Sequence, residues 1–521
     1  MTRDPAPLPA PPRLRAADIE SLAADLAPYG AEDVEHRLGP LAAAALHREQ
    51  PAAARLATRG PAQAGDALAA IVRCFVLGAE TTRRALDTAL PRSGSAGLER
   101  LGLIRSSGTA GQDAVRASVD LRPVDAVDHT GSTTWWVASD LGAMSTRGPL
   151  HAEHVLGVGG ASVTLAGLTV RDRRARTLDL GTGCGIQALH AARHSGAVVA
   201  TDVSPRALAY AAFNAALAGV ELDLRAGSML DPVRGEQFDL VVSNPPFVIT
   251  PRSLTDDALP TYTYRDGGMA GDALVRALVT DVGGVLAPGG VAQLLGNWEH
   301  RTGEDWTERV GAWLDASGLD GWVVQREVLD PAEYAELWLR DGGALREQDP
   351  AAWDRTMTAW LADFAARGVD AVGLGFVVLR RPVGAVPTLR RLEEQRGAAP
   401  GPLGPHLADV LASHDLVTGL DDDTLLGLRL RTAADVTEER HLRPGASGPQ
   451  AIVLRQGGGF GRTVPVDTAL AGLVGACDGE LTLGQLTGGL AAVLEVDLGS
   501  LRAELLGPVR QLVTDGFLQV V

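Results

Sequence analysis

Between about residues 150 and 381 the chain alternates short apolar runs with stretches whose apolar positions recur at helical spacing. Seven runs read as strands: Arg176–Gly181, Val198–Asp202, Glu221–Gly227, Phe238–Pro245, Gly290–Trp298, Gly321–Val328 and Ala371–Arg381. Stretches such as Ile186–His194 and Pro205–Ala218 carry the helical period between them. Such β-α alternation predicts an α/β fold with a mainly parallel, doubly wound, seven-stranded sheet. Between the sixth and seventh strands a long helical insert is expected over about Pro331–Gly368, carrying Trp338, Trp353 and Trp360. Those rings either pack the insert on the sheet or form a lid over a substrate groove.

The flanks have a different pattern. Residues 1–15 are polar and Pro-rich and read as a disordered leader. Helices are expected over Asp66–Leu77, Thr81–Leu90 and about Ala96–Ile104, followed by two alternating runs, Val115–Leu121 and Thr133–Val137. Three helices and then a two-stranded ribbon is a winged-helix pattern. After Arg381 a Pro- and Gly-rich stretch reads as a linker, taken to 424. A small C-terminal domain is expected from 425 to 521. Its helices are read near Asp467–Cys477, Thr482–Leu494 and Leu501–Gly516, and a last strand at Phe517–Val521. The run Gly457–Gly461 sits between strand-like segments. It reads as a hairpin connection, because no helix follows and the P-loop Lys-Ser/Thr is missing.

Composition narrows the function classes. The net charge is -17, from 64 acidic and 47 basic residues, and every basic residue is Arg. A protein that grips a long nucleic acid usually presents a basic face, so this balance weighs against one. The segment 51–100 is locally basic, with seven Arg against four acidic residues. It reads either as a nucleic-acid contact or as an accessory domain through which the protein forms a dimer. No run approaches the ~18 apolar residues that would span a bilayer. The N-terminal stretch lacks the apolar core of a signal peptide. Three widely spaced cysteines, Cys74, Cys184 and Cys477, give neither a disulfide framework nor zinc spacing. These features predict a cytoplasmic protein with no membrane partner and no metal.

The chemistry concentrates in three motifs. In Leu178–Gly185, LDLGTGCG, a glycine-rich turn links an apolar strand to a helix. Glycines there let the backbone turn tightly and approach a ligand closely. The spacing departs from the dinucleotide G-x-G-x-x-G, and an acidic residue, Asp179, precedes the loop by two positions. Asp202 ends the second strand, about 20 residues further on, where a carboxylate can bind both hydroxyls of a ribose. After the third strand come Ser228, which can hydrogen-bond, and Met229, which can pack on a flat ring. The third motif is Asn244-Pro245-Pro246-Phe247, directly after the apolar strand Phe238–Val242. Two prolines cannot continue a central strand, so they fix a rigid turn at the sheet's C-terminal edge. The Asn244 side-chain carbonyl and the Pro245 main-chain carbonyl can then accept hydrogen bonds from one NH2 group. Phe247 can stack on the planar group that carries it.

Taken in this order, residues of about 150–300 resemble the small-domain class I methyltransferases with an N-P-P-F/Y motif. Those families include release-factor glutamine methyltransferases, guanine-N2 ribosomal RNA enzymes and adenine-N6 enzymes. The resemblance implies a Rossmann-like sheet and S-adenosylmethionine as cofactor. It implies cofactor contacts from Asp179, Gly181, Thr182, Gly183, Gly185, Asp202, Ser228, Met229 and Asn244. It implies that Asn244, Pro245 and Phe247 orient the acceptor nitrogen. His154–Ser162 would cover the methionine end of the cofactor. Tyr264-Arg265-Asp266-Gly267-Gly268 resembles the segment after the motif in release-factor-type enzymes. A protein side-chain amide is the favoured acceptor, with an exocyclic amine of RNA or DNA as the alternative. A binding protein without catalytic activity is a third reading. The two flanking domains have no place in the minimal family pattern.

Overall fold

The computed structural model describes residues 8–146, 150–251, 265–344, 346–384, 386–397, 400–445 and 448–521. Tyr264 and the first seven residues of the expected leader therefore lie outside the described residues. The chain divides into two compact units, one of residues 1–166 and 173–394, the other of 167–172 and 395–521.

The first unit is built on a sheet whose strands are β1 (Arg174–Leu180), β2 (Ser195–Asp202), β3 (Asp223–Ala226) and β4 (Phe238–Ser243). It continues with β5 (Leu286–Arg301), β6 (Asp320–Leu329), β7 (Val369–Arg380) and β8 (Arg390–Glu394). Their order across the sheet is β8-β6-β7-β5-β4-β1-β2-β3. β7 runs antiparallel to both neighbours, and the other pairings are parallel. The order reverses beside β1, so the C-terminal ends of β1, β2 and β4 open onto a crevice where doubly wound sheets bind ligands.

The sheet has eight strands where the pattern predicted seven. The eighth lies inside the stretch read as linker, which also holds a helix, Gly404–Thr418. β8 reads Arg-Arg-Leu-Glu-Glu, an edge strand whose charge hides it from any apolar-run criterion. The helix starts Gly-Pro, and Pro405 occupies its first turn, where the missing N–H costs nothing.

Helices α1 (Ile186–Ala192) and α2 (Pro205–Ala218) follow β1 and β2, and α3 (Ala273–Asp281) and α4 (Trp306–Ser317) flank β5. The expected insert forms as α5 (Pro331–Asp341) and α6 (Pro350–Ala366). Its Tyr334, Trp360 and Phe364 are buried with Val248, Ile249, Val369 and Val372. The aromatic residues thus pack the insert onto β7 and onto the chain just after the Asn-Pro-Pro-Phe turn.

Much of the N-terminal helical region, read from Ala16 and expected up to residue 149 as a winged-helix-like accessory domain, shares an apolar core with α1 and α2, while Val34, Leu38, Ala54, Val72 and Val76 form a separate small cluster. Leu22, Phe75, Leu98 and Trp135 are buried in the same cluster as Ile186, Tyr210 and Phe213. The expected ribbon differs in detail. Its first run divides, with Ala114–Ala117 joining a three-stranded sheet beside Thr81–Thr82 and Ile104–Ser106. Asp120–Asp128 instead pairs with Gly131–Ser139 as a separate hairpin. Asp120, Asp125 and Asp128 interrupt the apolar alternation, so the hairpin carries little strand signal.

In the second unit, helices Thr468–Ala476, Leu483–Leu494 and Leu498–Thr514 and the strand Leu518–Val520 lie close to their expected positions. The strands Ala451–Gln456 and Thr463–Val466 pair antiparallel across the Gly457–Gly461 connection. Leu430, Leu473, Leu505, Val509 and Phe517 form part of this unit's own core.

Candidate active site

A cavity of about 400 Å³ opens at the C-terminal ends of β1, β2 and β4. That volume lies within the roughly 300–1,000 Å³ of small-molecule and cofactor sites. Gly181, Thr182, Gly183, Asp202, Ser228, Met229, Asn244 and Pro245 all line it. Sequence reasoning placed these eight in the site, and the fold brings them together from four separate strand ends.

The glycine-rich loop owes its course to backbone conformation. Gly181 and Gly183 have φ of 74° and 55°, a region side chains resist, and a Cβ on either would meet nothing within 4 Å. The Gly181 and Thr182 N–H groups both donate to the Thr201 carbonyl at 2.9 Å, which fixes the loop to the end of β2. Gly183 N–H donates to Asp202 Oδ2 at 2.9 Å, and Ser204 N–H donates to Asp202 Oδ1 at 2.8 Å. Each carboxylate oxygen keeps lone-pair capacity for a ligand hydroxyl. Burial holds the Asp202 carboxyl above its ordinary range.

Three expected residues stand back from the cavity wall. Asp179 is 1% exposed, and its Oδ2 accepts the Thr182 hydroxyl at 2.6 Å and Ala188 N–H at 2.9 Å. It braces the loop from beneath and joins it to α1. Burial pushes its carboxyl up to about 7. Gly185 has φ of 89° and packs so closely on α2 that a Cβ there would lie 3.1 Å from the Ala211 Cα. Phe247 is half-buried and meets the Trp338 ring edge-on at 6.2 Å between centroids.

At the turn itself, the Asn244 side-chain amide makes no hydrogen bond with any described residue and faces the cavity. The Pro245 carbonyl accepts Phe247 N–H at 2.8 Å, which tightens the turn and leaves one lone pair. Asp266 lines the cavity and accepts the Thr250 hydroxyl. Arg265 is directed away, donating to the Trp338 carbonyl at 2.6 Å and pairing with Asp341 at 3.2 Å.

The opposite wall comes from Glu153, His154, Leu156, Gly157 and Ser162, within or next to the stretch expected to cover the cofactor. His154 is buried, which pushes its imidazole below the usual range. Cys184 also borders the cavity, but burial raises its thiol to about 11, so it supplies no thiolate at neutral pH. Sequence reasoning missed Gln187, which lines the cavity and donates to the Ser162 carbonyl at 2.7 Å. One of two polar positions in an otherwise apolar helix, the other being His190, gives little signal of such a role.

These features fit a nucleoside-bearing ligand. The glycines leave an open approach, a carboxylate ends β2, and Met229, itself at φ 49°, offers an apolar surface after β3. Residues 158–258 match the family described as Methyltransferase small domain. The chain carries a class I S-adenosylmethionine-dependent methyltransferase domain, distantly homologous to release factor glutamine methyltransferases.

Among its relatives, the release factor glutamine methyltransferase of Deinococcus radiodurans is 39% identical over 133 residues, covering 24% of this chain and 46% of the relative. The same-named protein of Xylella fastidiosa is 40% identical over 131 residues, covering 24% and 47%. The ribosomal protein uL3 glutamine methyltransferase of Bradyrhizobium diazoefficiens is 31% identical over 168 residues, covering 29% and 51%. The chain thus spans about half the length of the relatives it matches. Residues 26–118 and 412–520 match two further families, each described as a domain of unknown function (DUF7059 and DUF7782).

Proposed function

We propose that this protein is an S-adenosylmethionine-dependent N-methyltransferase acting on a protein side-chain amide of the glutamine type. The observation that carries this reading is the Asn244 amide. Asn244 lines the cavity with no side-chain hydrogen bond to any described residue, and Pro245, Gly181, Gly183 and Asp202 line the same cavity.

S-adenosylmethionine supplies an electrophilic methyl group on a sulfonium. Asp202 would hold the ribose, Gly181 and Gly183 would let the ligand approach the loop, and Met229 would pack on the adenine. The Asn244 Oδ1 and the Pro245 carbonyl oxygen would accept both hydrogens of the acceptor NH2. That grip turns the nitrogen lone pair toward the methyl group and stabilises positive charge as it develops on nitrogen. No strong base is needed before attack. Phe247 acts from behind the turn, through Trp338, instead of stacking on the acceptor.

The relatives named as release factor and uL3 glutamine methyltransferases support a protein acceptor. So does the overall net charge of -17. Of the seven Arg in the segment 51–100, two are paired with carboxylates among the described residues. Arg83 meets Glu99 at 2.6 Å and Arg100 meets Asp18 at 2.6 Å. Such pairing leaves fewer charges for phosphate. Among the described residues no helix is long and apolar enough to cross a membrane.

The test is transfer of a radiolabelled methyl group from S-adenosylmethionine into a lysate separated into protein, RNA and small-molecule fractions. Label in protein, recovered as methylglutamine, supports the proposal. Label confined to RNA establishes the exocyclic-amine alternative.

A further inference from the structure

The hairpin formed by Asp120–Asp128 and Gly131–Ser139 lies upstream of the matched methyltransferase segment, yet it is fastened to it at three places. At the tip, Arg193, which ends α1, donates to Asp128 Oδ1 at 2.7 Å, to the Thr130 hydroxyl at 2.6 Å and to the Gly131 carbonyl at 2.7 Å. Near the base, Asn214 of α2 is fully buried and makes three hydrogen bonds. It accepts Ala138 N–H at 2.8 Å and donates to the Ala138 carbonyl at 2.9 Å and the Cys184 carbonyl at 2.8 Å. One side chain thus couples the hairpin backbone to the glycine-rich loop.

The third place is Asp140, directly after the hairpin and 2% exposed. Its carboxylate accepts Arg206 Nε at 2.8 Å, the Tyr210 hydroxyl at 2.7 Å and Val155 N–H at 2.9 Å. Its own N–H donates to the Val155 carbonyl at 3.1 Å. Val155 belongs to the cavity-lining loop 153–157. Gly157 of that loop packs directly on Ser139, where a Cβ would lie 2.8 Å from the hydroxyl oxygen and 3.5 Å from the Ser139 Cβ.

We propose that this hairpin, acting through Ser139, Asp140 and Asn214, is the positioning element of the cofactor site. It sets the place of both the 153–157 loop and the glycine-rich loop, and so the affinity for S-adenosylmethionine. This rests on the reading that the cavity holds that cofactor. Ser139, Asp140, Tyr210 and Asn214 are positioning residues that act through the loops they hold. The N-terminal region is thereby part of the cofactor site, whatever it does toward the acceptor.

The test is calorimetric titration of the full chain with S-adenosylhomocysteine, alongside methyl-transfer kinetics and thermal melting. Gly157→Ala forces the loop away from Ser139 and should weaken binding at least tenfold, raising KM for the methyl donor more than it lowers kcat. Adding Ser139→Ala removes the clashing oxygen and should restore binding to within about twofold of wild type. Tyr210→Phe removes one hydrogen bond to Asp140 and should weaken binding a few-fold at unchanged kcat. It carries the test if Gly157→Ala does not fold. Gly157→Ala or Tyr210→Phe binding like wild type, or no rescue by Ser139→Ala, overturns the proposal. Failure of the wild-type chain itself to bind would instead overturn the assignment of the cavity.

Discussion

The Tyr334 hydroxyl of the helical insert accepts Ile249 N–H at 3.0 Å and also meets the Asn297 side-chain amide at 2.6 Å. Ile249 follows the Asn244–Phe247 turn by two residues, so an insert remote in sequence anchors the chain that carries the motif. Tyr334→Phe leaves the buried Ile249 N–H without an acceptor. An orphaned buried donor costs about 1–3 kcal/mol. The expected outcome is a lower denaturant midpoint and slower methyl transfer, with S-adenosylhomocysteine affinity nearly unchanged. Equal transfer rates for variant and wild type would show that the insert does not position the turn.

Asp202 holds the loop through Gly183 N–H, and the proposed function gives it a second duty, binding the ribose of the cofactor. Asp202→Ala is expected to raise the dissociation constant for S-adenosylhomocysteine at least tenfold, or about 1.4 kcal/mol. Calorimetry reads this directly. Wild-type affinity in the variant would remove Asp202 from the site.

Asp179 makes stability depend on pH in an unusual direction. Its folded carboxyl titrates at about 7, above the roughly 3.9 of an unfolded chain. Between those values the native state binds the extra proton. This contribution is therefore greatest below about pH 4 and is lost as pH rises toward 7. Asp179→Asn has no such titration. Its stability relative to wild type should grow between pH 5 and 7 and level off above about pH 8, as urea midpoints would record. A difference independent of pH would contradict the buried, proton-binding carboxyl.

Much of this site was legible because its parts are local. Gly181–Gly185, Asp202 and Asn244–Phe247 each sit at a strand end, and the β-α period places strand ends at one edge. The readings that needed revision concern direction and distance. Asp179 precedes the loop as expected, yet its carboxylate points at Thr182 and Ala188 beneath it. Phe247 follows the turn as expected but meets Trp338, some 90 residues away in sequence. Asp140, Asn214 and Tyr334 carry no motif at all. Their importance comes from burial and from partners on other elements, which spacing along the chain does not reveal. β8 escaped because a charged edge strand resembles a linker.

The role of Asn244 is read most directly from two measurements on Asn244→Ala: methyl transfer to the protein fraction and calorimetric affinity for S-adenosylhomocysteine. The Asn244 side chain bonds to no described residue, so its loss should leave fold and cofactor affinity largely intact. The expected result is a fall in transfer of at least a hundredfold, with affinity within a few-fold of wild type. Transfer at the wild-type rate would contradict the assignment of Asn244 as the residue that holds the acceptor nitrogen.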